Sequence, residues 1–149
     1  MHTLPTNHRL LLTARPTGIP GAENFTADAI PARASAAGEV LLETLYLSLD
    51  PAMRSWMSEG TSYKQGVPLG EVMQGGGIAR VLESHAEGLV VGDLVQARLG
   101  WQSHPTIHGR YLQKLDLRRG AACRVFWCST TMRVTTKPAP GSRRGCAAA

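Results

Sequence analysis

Cysteine is absent from the first 122 residues of this 149-residue chain, and Asp and Glu are absent after residue 116. No apolar run approaches the roughly 18–20 residues that span a bilayer. The N-terminal stretch MHTLPTNHRLLLTARP has an apolar core of three leucines, broken off by Arg9 and Arg15. That core is too short for a signal peptide, so the expected location is the cytoplasm. In a cytoplasmic chain Cys123, Cys128 and Cys146 read as free thiols. Cys123 and Cys128 are separated by four residues, not by the two of a zinc knuckle.

What is present divides unevenly. Residues 1–116 carry 9 Lys+Arg and all 11 Asp+Glu, a balance of −2, whereas residues 117–149 carry 7 Lys+Arg and no acid, a balance of +7. The chain's net charge of +5 therefore belongs to its end. Basic groups in that stretch allow non-specific attraction to nucleic acid at most, because no aromatic residues interleave with them on a basic face. Nucleic acid is accordingly not the expected partner.

The first part reads as short strands punctuated by Gly and Pro. His8–Pro16 is a strand closed by the turn PTGIPG. Asn24–Pro31 alternates Phe25, Ala27 and Ala29 inward with Asn24, Thr26 and Asp28 outward, the period of a half-buried strand. Gly38–Pro51 is apolar on both faces, with Val40, Leu42, Thr44 and Tyr46 on one and Leu41, Glu43, Leu45 and Leu47 on the other. A central strand follows, stopped by Pro51, which has no N–H for a ladder. AMRSWMSEG forms a short helical turn ended by Gly60. TSYKQGVPLGEVMQ is a loop running into a strand, and Gly75–Ser84 is a strand opened by three glycines. GLVVGDLVQARLG turns at Gly92-Asp93, and Gly109–Leu117 is a last strand with Tyr111 and Leu115 on one face. Many short strands with little helix indicate a mainly β protein, a small antiparallel barrel or sandwich. After Leu117 no period is sustained, and residues 117–149 are expected to be disordered or poorly ordered.

Four segments in order, RLLLTARPTGIP, GEVLLETLYLSLDPAMRSWM, VPLGEVMQGGGIARVLES and GLVVGDLVQARLGWQ, resemble the N-terminal half of the zinc-independent medium-chain dehydrogenase/reductases. The likeness is to the NADPH-dependent alkenal, prostaglandin and curcumin double-bond reductases, and it covers about residues 8–116. The pair LYLSLDP-x-MR-x-x-M and PLGEVM-x-GGG carries it. It implies a GroES-like barrel over residues 1–116 beside a cofactor domain that binds NADPH. The implied reaction is hydride transfer to the β-carbon of an α,β-unsaturated carbonyl. Where zinc-dependent relatives place Cys and His, this chain reads YLSLD and Leu69-Gly70-Glu71, so no catalytic zinc is expected. Where tyrosine is common after Asp50-Pro51, this chain has Ala52, which implies a roomier pocket.

A dinucleotide site needs a strand, a G-x-G-x-x-G turn and a helix N-terminus. Gly75-x-Gly77-x-x-Arg80 lacks the third glycine and leads into a strand, so the residues that hold cofactor are unknown. The basic, Arg/Ala/Cys-rich stretch 117–149 stands where a cofactor domain is expected, the composition that a reading-frame shift near residues 117–121 of a GC-rich gene produces. The isolated chain is then expected to lack turnover.

The candidate site follows from the resemblance. Ala52, Met53, Arg54 and Tyr63 are expected on the substrate-pocket wall; Met53, Trp56 and Met57 serve equally as core. Asp50 is expected to cap the turn Ala52–Arg54 and orient Arg54, and Glu71, Gly75, Gly76 and Gly77 to be structural near the cleft. His104 and His108, four apart around Pro105 and without a third ligand, read as solvated loop histidines. A small-molecule enone is the expected substrate, and a homo-oligomer is left open. The alternative functions are a non-catalytic GroES-like module that pairs with another subunit and, behind it, nucleic-acid binding through the basic end.

Overall fold

A computed structural model of the chain describes residues 4–58 and 66–115, together with the backbone of Thr131–Arg133. Tyr63, Gly60 and nearly all of residues 117–149 lie outside the described residues. β1 (Thr6–Leu12) and β2 (Phe25–Pro31) pair antiparallel as a ribbon in the register Leu12↔Phe25 to Thr6↔Pro31. A three-residue 3₁₀ turn, Ala22–Asn24, precedes β2 and takes Asn24 out of the expected alternation. Asn24 is buried instead of outward, because its side chain accepts a hydrogen bond from Gly21 N–H (2.9 Å) and its carbonyl accepts from Thr13 N–H (2.9 Å).

The second sheet contains β3 (Glu39–Ser48), β4 (Gly76–Ser84), β5 (Leu94–Arg98), β6 (Thr106–His108), β7 (Gln113–Lys114) and β8 (Thr131–Arg133). Its order is β6-β3-β4-β5-β7, with β8 also on β3. All its pairings are antiparallel. β3 is central, as its two apolar faces require. Two irregularities in its register with β4, between Leu41 and Leu42 and between Thr44 and Tyr46, break the simple alternation. Val40, Leu41, Leu42, Thr44 and Leu47 are therefore all buried, while Tyr46 is exposed.

The strand expected over Gly109–Leu117 is instead a 3₁₀ turn, Gly109–Tyr111, followed by the two-residue β7. This short path carries the chain from one edge of the sheet at β6 to the other at β7, and the sheet curls into a half-barrel. Among its described residues, the loop expected to enter a strand makes the single bridge Leu11↔Val72 before β4.

The ribbon docks through β1. Arg9 bridges Gln102 and Leu11 bridges Val72, and Leu10 N–H donates to Trp101 C=O (2.9 Å). One buried cluster, built on Val40, Leu42, Ala79, Val81, Val95 and Leu99, fills the curl. A second, of Leu12, Met53, Met57, Val67 and Met73, lies between β1 and the helical turn α1 (Met53–Trp56). Trp101 packs against both clusters and stacks on Phe25 at 5.2 Å between centroids.

Candidate functional site: the turn after the central strand

β3 ends at Ser48, and Asp50-Pro51 turns the chain into α1. The Asp50 carboxylate accepts from Ala52 N–H (2.8 Å) and its carbonyl accepts from Met53 N–H (2.9 Å), the local pattern that makes Asp-Pro a turn starter. Asp50 thus caps the turn, but its carboxylate bonds Ala52 N–H and not the Arg54 guanidinium. The Arg54 guanidinium is distributed elsewhere: Nε donates to Gly18 C=O (3.0 Å), Nη2 to Pro16 C=O (2.8 Å) and Nη1 to Ser58 Oγ (2.6 Å). A planar fork with several fixed donors can bridge three acceptors in this way. Arg54 therefore ties α1 to the PTGIPG loop, whose Ile19 is almost fully exposed. From the other side Arg15 Nη1 donates to the carbonyls of Met57 (3.1 Å) and Val67 (2.7 Å).

The expected wall residues are not equivalent. Met53 is buried in the second cluster beside Met57 and Met73, with Trp56 packed against it. Ala52 and Arg54 are half-buried, and Tyr63 lies outside the described residues. Glu71 is exposed, and its backbone carbonyl accepts from Leu12 N–H (3.0 Å), holding β1. The three glycines differ. A Cβ at Gly77 would fall 2.3 Å from Tyr46 C=O and 2.8 Å from Leu99 Cδ1, and one at Gly75 would fall 3.0 Å from the Trp101 ring. A Cβ at Gly76 would meet nothing closer than 3.9 Å. Close approach of β3 to β4 accounts for Gly77, and the Trp101 ring for Gly75.

Two grooves flank these elements. The first, about 420 Å³, runs under the middle of the β1–β2 ribbon and is walled by Leu10, Ala27, Ala29, Leu47, Leu49 and Trp101. Ala27 and Ala29 share the face of Phe25, as the period-2 reading expects, but both are exposed because they border this groove. The second, about 510 Å³, lies between the residues before β4, those after β5 and the Gly109–Tyr111 turn. No spacing rule pointed to either one, because their walls come from segments up to about ninety residues apart.

His104 is half-buried, in contrast to the expected solvated loop. Its Nδ1 lies 2.9 Å from Ser103 Oγ and its N–H donates to Asn7 Oδ1 (2.8 Å). Burial holds its pKa below the ordinary histidine value, against the opposing pull of the Thr6 backbone and Glu43. His108 is exposed at the end of β6, where its Nδ1 accepts from Arg110 N–H. Among the described residues no three His, Cys, Asp or Glu side chains converge on a metal position. No helix there is long and apolar enough to cross a membrane. The described residues do not fit a dinucleotide either: Gly75–Gly77 run into β4 rather than a helix, and the α-helix described, α1, has four residues.

A curled antiparallel half-barrel with a capped Asp-Pro turn at the end of its central strand defines a GroES-like domain of the medium-chain reductase kind. The model of the N-terminal domain of oxidoreductases matches residues 8–115, and the chain belongs to that family. It is 43% identical over 109 residues to NADPH-dependent curcumin reductase of Escherichia coli K12, covering 73% of this chain and 32% of that protein. It is 44% identical over 78 residues to prostaglandin reductase 1 of Oryctolagus cuniculus, covering 52% of this chain and 20% of that one. The solved structure of CurA from Vibrio vulnificus superposes with a TM-score of 0.68 at 39% identity, over 73% of this chain and 31% of CurA. Its complex with NADPH gives 0.66 at 42% identity, over 72% and 31%. The chain thus spans about a third of the length of the curcumin reductase it matches.

Proposed function

We propose that residues 1–116 are the substrate-side domain of an NADPH-dependent oxidoreductase that reduces the C=C bond of α,β-unsaturated carbonyls. The observation that carries this reading is the 43% identity to a curcumin reductase, which runs through the segment that builds the Asp50 turn and its Arg54 clamp. In this reading Ala52 forms the cleft surface, Met53 supports it from the core, and Tyr63 adds to the same wall. Arg54 works as a positioning residue, because its donors are engaged by Pro16, Gly18 and Ser58. Asp50, Glu71, Gly75, Gly76 and Gly77 hold the frame behind it. In this reading the residues that cradle NADPH belong to a cofactor domain outside residues 1–116.

The test is a chimera that joins residues 1–115 to the part of the Escherichia coli curcumin reductase beyond the match. A folded chimera should oxidise NADPH when given an enone; a folded but inactive one removes the reading. The 149-residue chain alone should consume no NADPH with an alkenal above the blank rate, and measurable consumption would overturn that part.

A second reading, a non-catalytic module that pairs with another subunit, is favoured by the apolar first groove. Co-elution with an intact homologue on size exclusion, without activity of the chimera, would support it.

A further inference from the structure

The described arginines and lysines are not alike in their partners. Arg9, Arg33, Arg80 and Lys114 face the carboxylates of Asp28, Glu39, Glu43 and Asp93. Arg15 and Arg54 serve backbone carbonyls. Among the described residues, only Arg98 and Arg110 have neither. Arg98 donates through Nη2 to the Gln74 side-chain oxygen. Arg110 donates through Nη2 to the Tyr111 hydroxyl (2.7 Å) and lies over the Tyr111 ring at 4.6 Å.

Arg98 lines the second groove, and so does Tyr111, over whose ring Arg110 lies. Its floor is apolar, from Val72, Leu99 and Ile107. Gly75 and Gly100 also line it, and Gly100 sits at φ +72, a conformation other residues rarely adopt. Its volume of about 510 Å³ falls in the range of small-molecule sites.

We propose that this groove binds a small ligand with a flat apolar body and one anionic group, a carboxylate or a phosphate. A guanidinium held at one nitrogen by an amide keeps its remaining N–H groups for an anion, and carboxylate and phosphate match their spacing. Gln74 sets the plane of that guanidinium and is a positioning residue. The apolar floor and the Tyr111 ring receive the body, with Arg110 reinforcing the positive rim. Arg98 has no carboxylate partner among the described residues, so an anion in the groove would supply its first counter-charge. The site stands whether or not the domain belongs to a reductase.

The experiment uses the full 149-residue chain, ¹⁵N-labelled, titrated with 1-naphthoate, 1-naphthyl phosphate and neutral 1-naphthamide. Amide shifts should gather on Gly75, Leu99, Gly100 and Gln102. At least one anion should bind about tenfold or more tighter than the amide. The ratio of the two anions identifies the group preferred. Arg98→Gln should erase the preference while leaving naphthamide unchanged, and Arg98→Lys should keep part of it. Raising NaCl to about 0.5 M should weaken the anions alone, a readout that needs no variant. Equal binding of amide and anions, an unaltered preference in folded Arg98→Gln, or shifts confined to Leu10, Ala27 and Leu47 would each overturn the proposal.

Discussion

At the residue scale, the glycine triplet shows how one motif carries different constraints at neighbouring positions. Gly77→Ala would push a methyl group into the Tyr46 carbonyl and Leu99, and backbone cannot yield as a side-chain tip does. It should lower stability by about 2–3 kcal/mol in urea unfolding, whereas Gly76→Ala should change it by less than about 0.5 kcal/mol. The charged residues give a pH signature. Hydrogen bonds from Arg9, Arg33 and Lys114 hold the carboxyls of Asp28, Glu39 and Asp93 below the ordinary carboxylate range. A lowered folded-state value means the unfolded chain takes up protons first as pH falls. Their stabilisation is present above about pH 5 and is lost as pH drops through the lowered folded values. For His104 burial lowers the folded value below 6.5, so its contribution is whole above that pH and declines as the pH falls beneath it. Urea midpoints measured from pH 7 to pH 2 should fall in two stages. His104→Gln should flatten the upper stage and Asp28→Asn should make the lower one shallower.

At the scale of elements, the ribbon makes the sharpest test, because two leucines on the same face of β1 meet different surroundings. Leu12 is fully buried in the second cluster, while Leu10 is 38% exposed at the first groove. Leu12→Ala should cost about 2–4 kcal/mol in urea unfolding and Leu10→Ala less than about 1 kcal/mol. The same contrast explains what the sequence could and could not tell. β2, β3, β4 and β5 were legible, since alternation, an apolar run and flanking Gly or Pro are local signals. The facing of Ala27 and Ala29 was legible too, but their exposure was not, because it depends on Leu47 and Leu49 across the groove. β6 was missed, and β7 was expected as part of a longer strand over Gly109–Leu117: three and two residues are too few to show a period, and their pairing is set by β3 and β5. Arg54 was expected beside its neighbour Asp50, yet its partners are the carbonyls of Pro16 and Gly18, thirty-six and more residues earlier. Backbone acceptors carry no sequence signature.

At the scale of the whole molecule, the family was legible from the order of four motifs, because motif pairs in register are more specific than any one of them. The two grooves were not, and they set the chemistry that remains to be tested. The apolar one leaves Leu10 exposed on the ribbon and is the surface on which a second subunit would act, while the cationic one addresses a small anion. Competition separates them. A neutral apolar probe such as N-phenyl-1-naphthylamine should be unaffected by Arg98→Gln, and naphthoate should not displace it from the first groove.

The way β1 is fastened has a consequence in time. Asn7 exchanges hydrogen bonds with Gln102 and His104, and His8 N–H donates to Ser103 Oγ, across sequence separations of 95 to 97 residues. During synthesis at roughly 5–20 residues per second, the first strand therefore leaves the ribosome many seconds before its partner segment exists. Until then β2 and, once made, the Gly70–Met73 segment hold it, and the two-stranded ribbon that forms first is marginal in water. The earliest-made part of the domain is among the last to be secured, and its nascent chain presents Leu10 and Leu12 to whatever binds apolar segments at the tunnel exit.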